Sequence, residues 1–333
     1  MPVIHRSGDN KMKEFTIRKN DAGQRLDRFV SKTVPLLPSS LLQKYIRLKR
    51  IKVNGKGFSR DGKLREDDRV QMYINDEFFE KPSESNAYLR ITSPRLDVLY
   101  EDDNILLLNK EAGVLCHSDG GWAYDTLIAR LQAYLFLSKD WDPRKENSFT
   151  PALCNRIDRN TQGIVIAAKN AETLRIINEK IRNREIDKEY LTVVSGRPSP
   201  PSGRIESQLF KDAERNMVMI KSRREPGTKT AVTEYSTLVS RGDLSLVRCR
   251  LLTGRTHQIR VQMASLKTPL LGDGKYGRES VNRKYGESGQ LLCSYRLTMD
   301  FQTDAGQLNY LKGRTFSLDK IDFVEKYFPG YRI

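Results

Sequence analysis

Asn155-Arg156-Ile157-Asp158-Arg159-Asn160-Thr161-Gln162-Gly163 sets one carboxylate between two arginines, just ahead of the apolar run Ile164 to Ala168. That run has the length and composition of a buried strand. Asp158 is therefore expected on the loop feeding the strand, where the neighbouring cations favour its charged form. Taken alone, such a cluster reads by default as a structural ion pair. A second polar concentration follows at a strand-to-helix junction, Leu252-Thr253-Gly254-Arg255-Thr256-His257-Gln258-Ile259-Arg260. Thr256 is expected to cap a helix whose Ile259, Met263 and Leu266 turn inward, leaving Arg260 to face a cleft. Around these two sites, strands are expected at Asn104 to Asn109, Tyr190 to Val194, Ala231 to Val239 and Leu246 to Leu251. Helices are expected at Thr126 to Leu137 and Ala171 to Arg184, the latter with Leu174, Ile177 and Ile181 on one face. Strand and helix do not alternate cleanly. The order points to an α+β fold with a mixed, largely antiparallel sheet and flanking helices.

The chain of 333 residues carries 58 basic and 42 acidic side chains, a net charge of +16. The excess is concentrated: residues 1–95 hold 21 basic and 12 acidic groups. Between Leu41 and Arg60 stand Lys44, Arg47, Lys49, Arg50, Lys52, Lys56 and Arg60 with no acidic residue among them. Such a stripe suits a salt-sensitive grip on phosphates, although a solvated helix face is the commoner fate of a charge run. No apolar run reaches the roughly 18 residues needed to span a bilayer. MPVIHRSGDNKMKEF lacks the unbroken apolar stretch of a secretory signal, so a cytoplasmic location is expected. Cys116, Cys154, Cys249 and Cys293 are single, and the histidines are His5, His117 and His257, which gives no support to a zinc site or a disulfide framework. Cys154 with His257 as a thiol nucleophile is the weaker reading beside buried apolar filler. No phosphate-cradling glycine loop is present, which argues against nucleotide-driven chemistry.

Within the basic segment, Arg25 to Leu37 reads as a helix with Leu26, Phe29, Val30 and Val34 on one face, stopped by Pro35 and Pro38. Ser39 or Ser40 is expected to cap a second helix carrying Leu41, Leu42, Tyr45 and Ile46, followed by the strand Ile51-Lys52-Val53, the turn Asn54-Gly55 and a strand Val70 to Ile74. RLDRFV, LLQKYIRLKRIKVNG and LREDDRVQMYI together resemble the small RNA-binding module of the ribosomal protein S-four type. The expected division is an N-terminal α/β module at 1–75 (core about 24–75), a linker at 76–97 and a second domain at 98–333.

NRIDRNTQG resembles the HRLDxxTSG signature of the RluA-type pseudouridine synthases, and TGRTHQIRVQMASLKTPLLGDGKYG resembles their third motif, GRTHQIRxHxxxxGxPIxGDxxYG. VLYEDDNILLLNKEAGVLCH, KEYLTVVSG and LLCSYRLTMDF follow the same family in the same order, and DAGQRLDRFV is closest to the RluC-like subgroup. Asn155, Ile157, Gln162, Gln262 and Glu111 depart from the usual His, Leu, Ser, His and Pro.

The resemblance implies a pseudouridine synthase domain that isomerises uridine in structured RNA, large-subunit ribosomal RNA above all, after flipping the base out of its stack. It places the nucleophile at Asp158, the active-site tyrosine at Tyr190 and the arginine that pairs the carboxylate at Arg260. Arg156 matches the residue that displaces the target base, while Arg255 and His257 fall on phosphate contact or support. Lys44, Arg47, Lys49, Arg50 and Lys52 are the expected RNA contacts of the N-terminal module. RESVNRKYGESG and WDPRKENSF are further candidates for RNA-contacting loops. Neither metal nor organic cofactor is implied, and a monomer is expected. The alternative is a non-catalytic RNA-binding ribosome assembly factor on the same fold.

Overall fold

A computed structural model describes residues 3–5, 12–34, 37, 39–74, 76–79, 87–88, 91–118, 125–143, 145–212 and 214–333. These residues form two compact units, one of Met1–Pro94 with Ile128–Ala152 and Ala168–Leu174, the other of Arg95–Leu127, Leu153–Ala167 and Arg175–Ile333. The N-terminal segment of the first unit ends at Pro94. The two later segments joining the first unit were not expected.

In the first unit, β1 (Val3–His5), β2 (Met12–Thr16), α1 (Leu26–Thr33), α2 (Ser39–Arg47), β3 (Ile51–Val53), β4 (Lys56–Gly57) and β5 (Arg69–Met72) build a sheet of order β1-β2-β5-β3-β4. Its ladders are antiparallel. Leu26, Phe29 and Val30, at helical spacing, are all fully buried against Ile17, Ile51 and Val70. Each such side chain contributes about 1.5–3 kcal/mol. α1 stops at Thr33, four residues short of the expected end, because Val34 swings to φ −128°. Pro35 and Pro38 lie outside the described residues. α2 begins at Ser39, so both serines sit in its first turn rather than ahead of it. Asn54 and Gly55 adopt φ of 51° and 76°, the two left-handed residues of a tight hairpin turn.

Asp76–Phe79 form a single 3-10 turn, and Tyr88 is buried edge-on to Phe136 and Trp141, while residues 80–86, 89 and 90 of the expected linker lie outside the described residues. The segment expected as an RNA loop at 141–149 is instead tied down within this unit. Arg18 Nη1 donates to the Lys145 carbonyl at 2.6 Å, Ser148 Oγ to Asp21 Oδ1 at 2.6 Å and Asn147 Nδ2 to the Thr16 carbonyl at 2.8 Å. Asp21 is fully buried and accepts from Ser148 Oγ and, through Oδ2 at 3.0 Å, from Asn147 Nδ2.

The rest of the chain supplies β6 (Val98–Glu101), β7 (Ile105–Lys110), α3 (Leu127–Leu137), β8 (Ala152–Leu153), β9 (Gln162–Ala168), α4 (Ala171–Arg182), β10 (Asp187–Ser195), β11 (Ser202–Asp212), β12 (Met217–Lys221) and β13 (Thr228–Arg241). It continues with β14 (Leu244–Leu251), α5 (Gln258–Ser265), α6 (Glu279–Tyr285), β15 (Leu292–Thr298), β16 (Thr315–Ser317) and α7 (Asp322–Tyr327). One sheet runs β12-β11-β13-β14-β10-β15-β9-β7-β6, with β16 on β15 and β8 on β9. β15 and β9 are parallel, whereas β10 is antiparallel to both β14 and β15. The sheet is mixed and largely antiparallel, as expected. Its middle strands bury Leu107, Ile164, Ile166, Leu191, Val193 and Leu246 completely. RESVNRKYGESG is not a loop: Glu279–Tyr285 coil into α6, with Glu279 in the first turn, Arg283 and Lys284 in the last, and Gly286 closing it at φ 68°. Those charges complement the helix dipole, and glycine takes the left-handed cap without a Cβ penalty. The β11–β12 hairpin, α6 and α7 were not read from the sequence.

Candidate active site

Asp158 lies on the loop from β8 to β9, and the loop is fixed at both ends. Gly163 sits at φ +112°, where a Cβ would come within 2.3 Å of the Ser294 carbonyl oxygen on β15. Only glycine lets the loop enter β9 so close to that strand. On its other side, Lys110 at the end of β7 sends its buried ammonium to three carbonyls, those of Glu111 (2.8 Å), Val114 (2.8 Å) and Arg159 (2.9 Å). Burial pulls the Lys110 pKa down to about 8. Asn155 accepts the Ile166 N–H through Oδ1 at 2.8 Å, so the first departure from the family motif serves the loop's backbone.

Arg260 meets Asp158 from α5. Its Nη1 donates to Asp158 Oδ2 at 3.0 Å, while Nε and Nη2 form a fork onto Asp273 at 2.7 and 2.9 Å. Asp273 is 0% exposed and also accepts the Lys275 and Tyr276 backbone N–H groups at 2.8 and 3.1 Å. Burial works against both charges. The Arg260 fork and the two amides nevertheless lower the Asp273 pKa, and the two carboxylates raise that of Arg260. The guanidinium also lies 5.3 Å from the Tyr276 ring centroid, over its face. Because Asp273 already balances Arg260, the arginine aims Asp158 without fully neutralising it. The Asp158 side chain keeps 25% of its surface exposed against 6% for Arg260, so the carboxylate is the reachable member of the group.

Tyr190, on β10 opposite Ser294, is buried among Val194, Val247, Cys249, Ile259 and Leu292 with Ile157 alongside. Burial, together with the nearby Asp158 charge, pushes its hydroxyl up to about 12. It therefore stays protonated through the neutral range. Cys116 donates to the Ile157 carbonyl at 3.5 Å, and burial raises its pKa. Packing around Cys154 raises its thiol to about 12, which disfavours the thiolate a nucleophile needs.

The structure thus brings together Asp158, Tyr190 and Arg260. His257 lies beside them: its side chain is 9% exposed, with Nε2 3.9 Å from Asp158 Oδ2 and Nδ1 2.9 Å from the Tyr276 hydroxyl. Arg156 and Arg255 are exposed, and Arg255 Nε donates to the Thr230 carbonyl at 3.1 Å. Thr256 does not cap α5. The cap residue is His257, in the left-handed conformation, and Gln258 Oε1 reaches back to accept the Arg255 N–H at 3.0 Å and the Thr253 hydroxyl at 2.8 Å. Gln262 is buried, accepting the Thr233 hydroxyl at 2.6 Å and donating to the Ala231 carbonyl at 3.1 Å, so this departure braces α5 against the sheet. In the other unit, Lys44, Arg47, Lys49 and Arg50 are exposed and Lys52 is half-buried, and among the described residues none is in an ion pair. Arg50 lies over Tyr45 and Lys52 over Tyr73, each 5.3 Å from the ring centroid.

Asp273, Tyr276 and Asn282 were missed as site residues. Asn282 on α6 accepts the Gly272 N–H at 2.8 Å and donates to the Asp273 carbonyl at 3.2 Å, fixing the loop that carries the clamp. The available signal was the PLLGDGKYG stretch, where an Asp and a Tyr stand among three glycines with no periodicity of their own. Among the described residues no group of three or more His, Cys, Asp or Glu is placed to hold a metal, and no helix is long and apolar enough to cross a membrane.

The family model described as RNA pseudouridylate synthase matches residues 104–265, a span that holds Asp158, Tyr190, His257 and Arg260. The chain is 30% identical over 287 residues to an uncharacterized RNA pseudouridine synthase of Mycoplasma genitalium, covering 85% of this chain and 88% of that one. It is 31% identical to the ribosomal large subunit pseudouridine synthase D of Borreliella burgdorferi, covering 86% and 85%, and 30% identical to the synthase C of Escherichia coli K12, covering 84% of each. The solved structure of human RNA pseudouridylate synthase domain containing 4 shares the fold, with TM-score 0.53 at 22% identity over 68% of this chain and 89% of that one. On this sequence identity and coverage, the chain belongs to the RNA pseudouridylate synthase family.

Proposed function

We propose that the protein converts specific uridines to pseudouridine in structured RNA, with large-subunit ribosomal RNA as the substrate and Asp158 as the nucleophile. The observation that carries this is the inequality of the two carboxylates. The canonical O-glycoside hydrolases use a second carboxyl group to activate water or protonate the leaving group. Here the second carboxylate, Asp273, is 0% exposed and bound to Arg260 and two backbone amides. One reachable carboxylate in this cluster, among the described residues, suits an isomerisation, in which the detached base returns to the same sugar. Asp158, aimed by Arg260, attacks C1′ of the sugar as its bond to uracil N1 breaks. The base, with Tyr190 stacked on it, turns and rejoins C1′ through C5, which frees the Asp158 carboxylate and then releases the C5 proton, and exposed Arg156 fills the space the base leaves.

Residues 1–75 act in this reading as the S-four-type RNA-binding module, joined through 76–97 to the catalytic domain at 98–333. Lys44, Arg47, Lys49, Arg50 and Lys52 grip phosphates, and the exposure and lack of ion pairs of the first four support this. The large-subunit substrate rests on the names of the Borreliella and Escherichia relatives, and a cytoplasmic location follows from that substrate. The test is Asp158→Asn on ribosomal RNA labelled with tritium at uracil C5. Wild type releases tritium, and the variant binds the RNA but releases none. Release by the variant at the wild-type rate refutes the reading, and no release by wild type favours the non-catalytic assembly factor.

A further inference from the structure

Val218 N–H on β12 donates to the Tyr276 phenol oxygen at 2.7 Å, and that oxygen lies 2.9 Å from His257 Nδ1. A phenol that accepts from a backbone amide has its own proton left to give, and Nδ1 is the acceptor in reach. In a neutral imidazole whose Nδ1 accepts, the ring proton is on Nε2. Nε2 faces Asp158 Oδ2, the same oxygen that Arg260 Nη1 holds. We propose that His257 is a positioning residue, whose Nε2–H, set by the Tyr276 hydroxyl, closes onto Asp158 Oδ2 when RNA binds and leaves Oδ1 to react. This rests on Asp158 being the nucleophile.

Three further observations agree. Oδ2 accepts Arg260 Nη1 and is the oxygen that His257 Nε2 faces at 3.9 Å, and among the described residues Oδ1 has no hydrogen-bond partner. His257 holds φ 53° and ψ 19°, a left-handed backbone that a non-glycine residue adopts at a cost and that here points the ring back from the first turn of α5 toward the loop. The Tyr276 ring packs edge-on to the imidazole with centroids 5.6 Å apart, which limits its rotation. The charged groups around the ring are Asp158 on the β8–β9 loop, Arg260 on α5, and Asp273 and Lys275 beside Tyr276. Burial, with Arg260 and Lys275, opposes a second proton on the ring, and the carboxylates are already held by Arg260. Catalytic contacts that are long before substrate binds commonly tighten in the complex, and 3.9 Å needs a movement of about one ångström to reach hydrogen-bonding distance.

Only three histidines are present, so nitrogen-15 NMR of the full-length histidine-labelled protein can report the His257 tautomer directly, assigned by its loss in His257→Asn. The expected result is a neutral ring protonated at Nε2 at pH 7, and in Tyr276→Phe a mixture of tautomers. His257→Asn tolerates the left-handed backbone but does not reach Oδ2. It should lower the single-turnover rate about tenfold at unchanged RNA affinity, less than the roughly hundredfold loss of a donor in direct contact with a reacting oxygen. His257→Gln carries an amide farther out and should recover part of the rate. A wild-type ring protonated at Nδ1, a wild-type rate in His257→Asn, or a loss confined to RNA affinity each overturns the proposal. The tautomer is read without RNA. Absence of pseudouridine from wild type would therefore remove the functional reading while leaving the tautomer result to be judged separately.

Discussion

Asp273→Asn keeps the shape of the buried clamp and removes one oxygen's acceptor role. Oδ1 takes three donors, Arg260 Nη2 and the Lys275 and Tyr276 amides, so in the variant that position must stay oxygen. The new amide NH2 is then forced onto Arg260 Nε, now 2.7 Å away, donor against donor. A fully buried guanidinium pair broken on one side costs about 3–5 kcal/mol. The rate should fall as well, by about a hundredfold, because Arg260 is free to swing and a misplacement of about 1 Å at the reacting group has that effect. Urea unfolding at pH 7 measures the first loss and single-turnover conversion of RNA the second. The cycle with Arg260→Met isolates the pair: once the buried charge is gone, Asp273→Asn should cost at least about 2 kcal/mol less than in wild type. A cost below about 1 kcal/mol in wild type, or the same cost in both backgrounds, would refute the clamp.

Tyr190→Phe keeps the stacking surface and removes a hydroxyl that burial holds protonated, so RNA binding should survive while turnover slows; equal single-turnover rates would confine Tyr190 to packing. Reversing Arg47 and Lys49 to glutamate should weaken RNA binding and reduce its salt slope by about one unit for each phosphate no longer held, with the saturated rate unchanged; an unaltered slope would make the stripe a solvated face. Burial brings the His257 pKa from 6.5 to about 4, so the unfolded chain binds that proton first. Stability from this group is complete above about pH 6.5 and is lost as pH falls toward 4, by at most about 3 kcal/mol. His257→Phe should flatten the dependence of the urea midpoint between pH 7 and pH 4.5, and a parallel curve would count against it.

The alternation and runs of apolar residues were enough to place β7, β9, β10, β13, β14 and both long helices within a few residues, because burial of one face leaves a period in the chain itself. The order of the strands already implied a mixed sheet. Asp158, Tyr190 and Arg260 were legible through motif resemblance, and the structure assembles them. Their partners were not legible. Asp273 meets Arg260 through a non-helical loop pinned by Asn282, and no local spacing rule links positions 13 apart across such a loop. Thr256 has the composition of a cap, yet the cap position went to His257 because Gln258 satisfies the free amide of Arg255 and the ring is drawn to Tyr276. Likewise the segment at 141–149 looked like an open polar loop until the buried Asp21 claimed its donors. Sequence by itself determined which residues could be buried and which could carry charge. Tertiary structure alone decided which charge met which, since pairing depends on distances across the fold that no local period encodes.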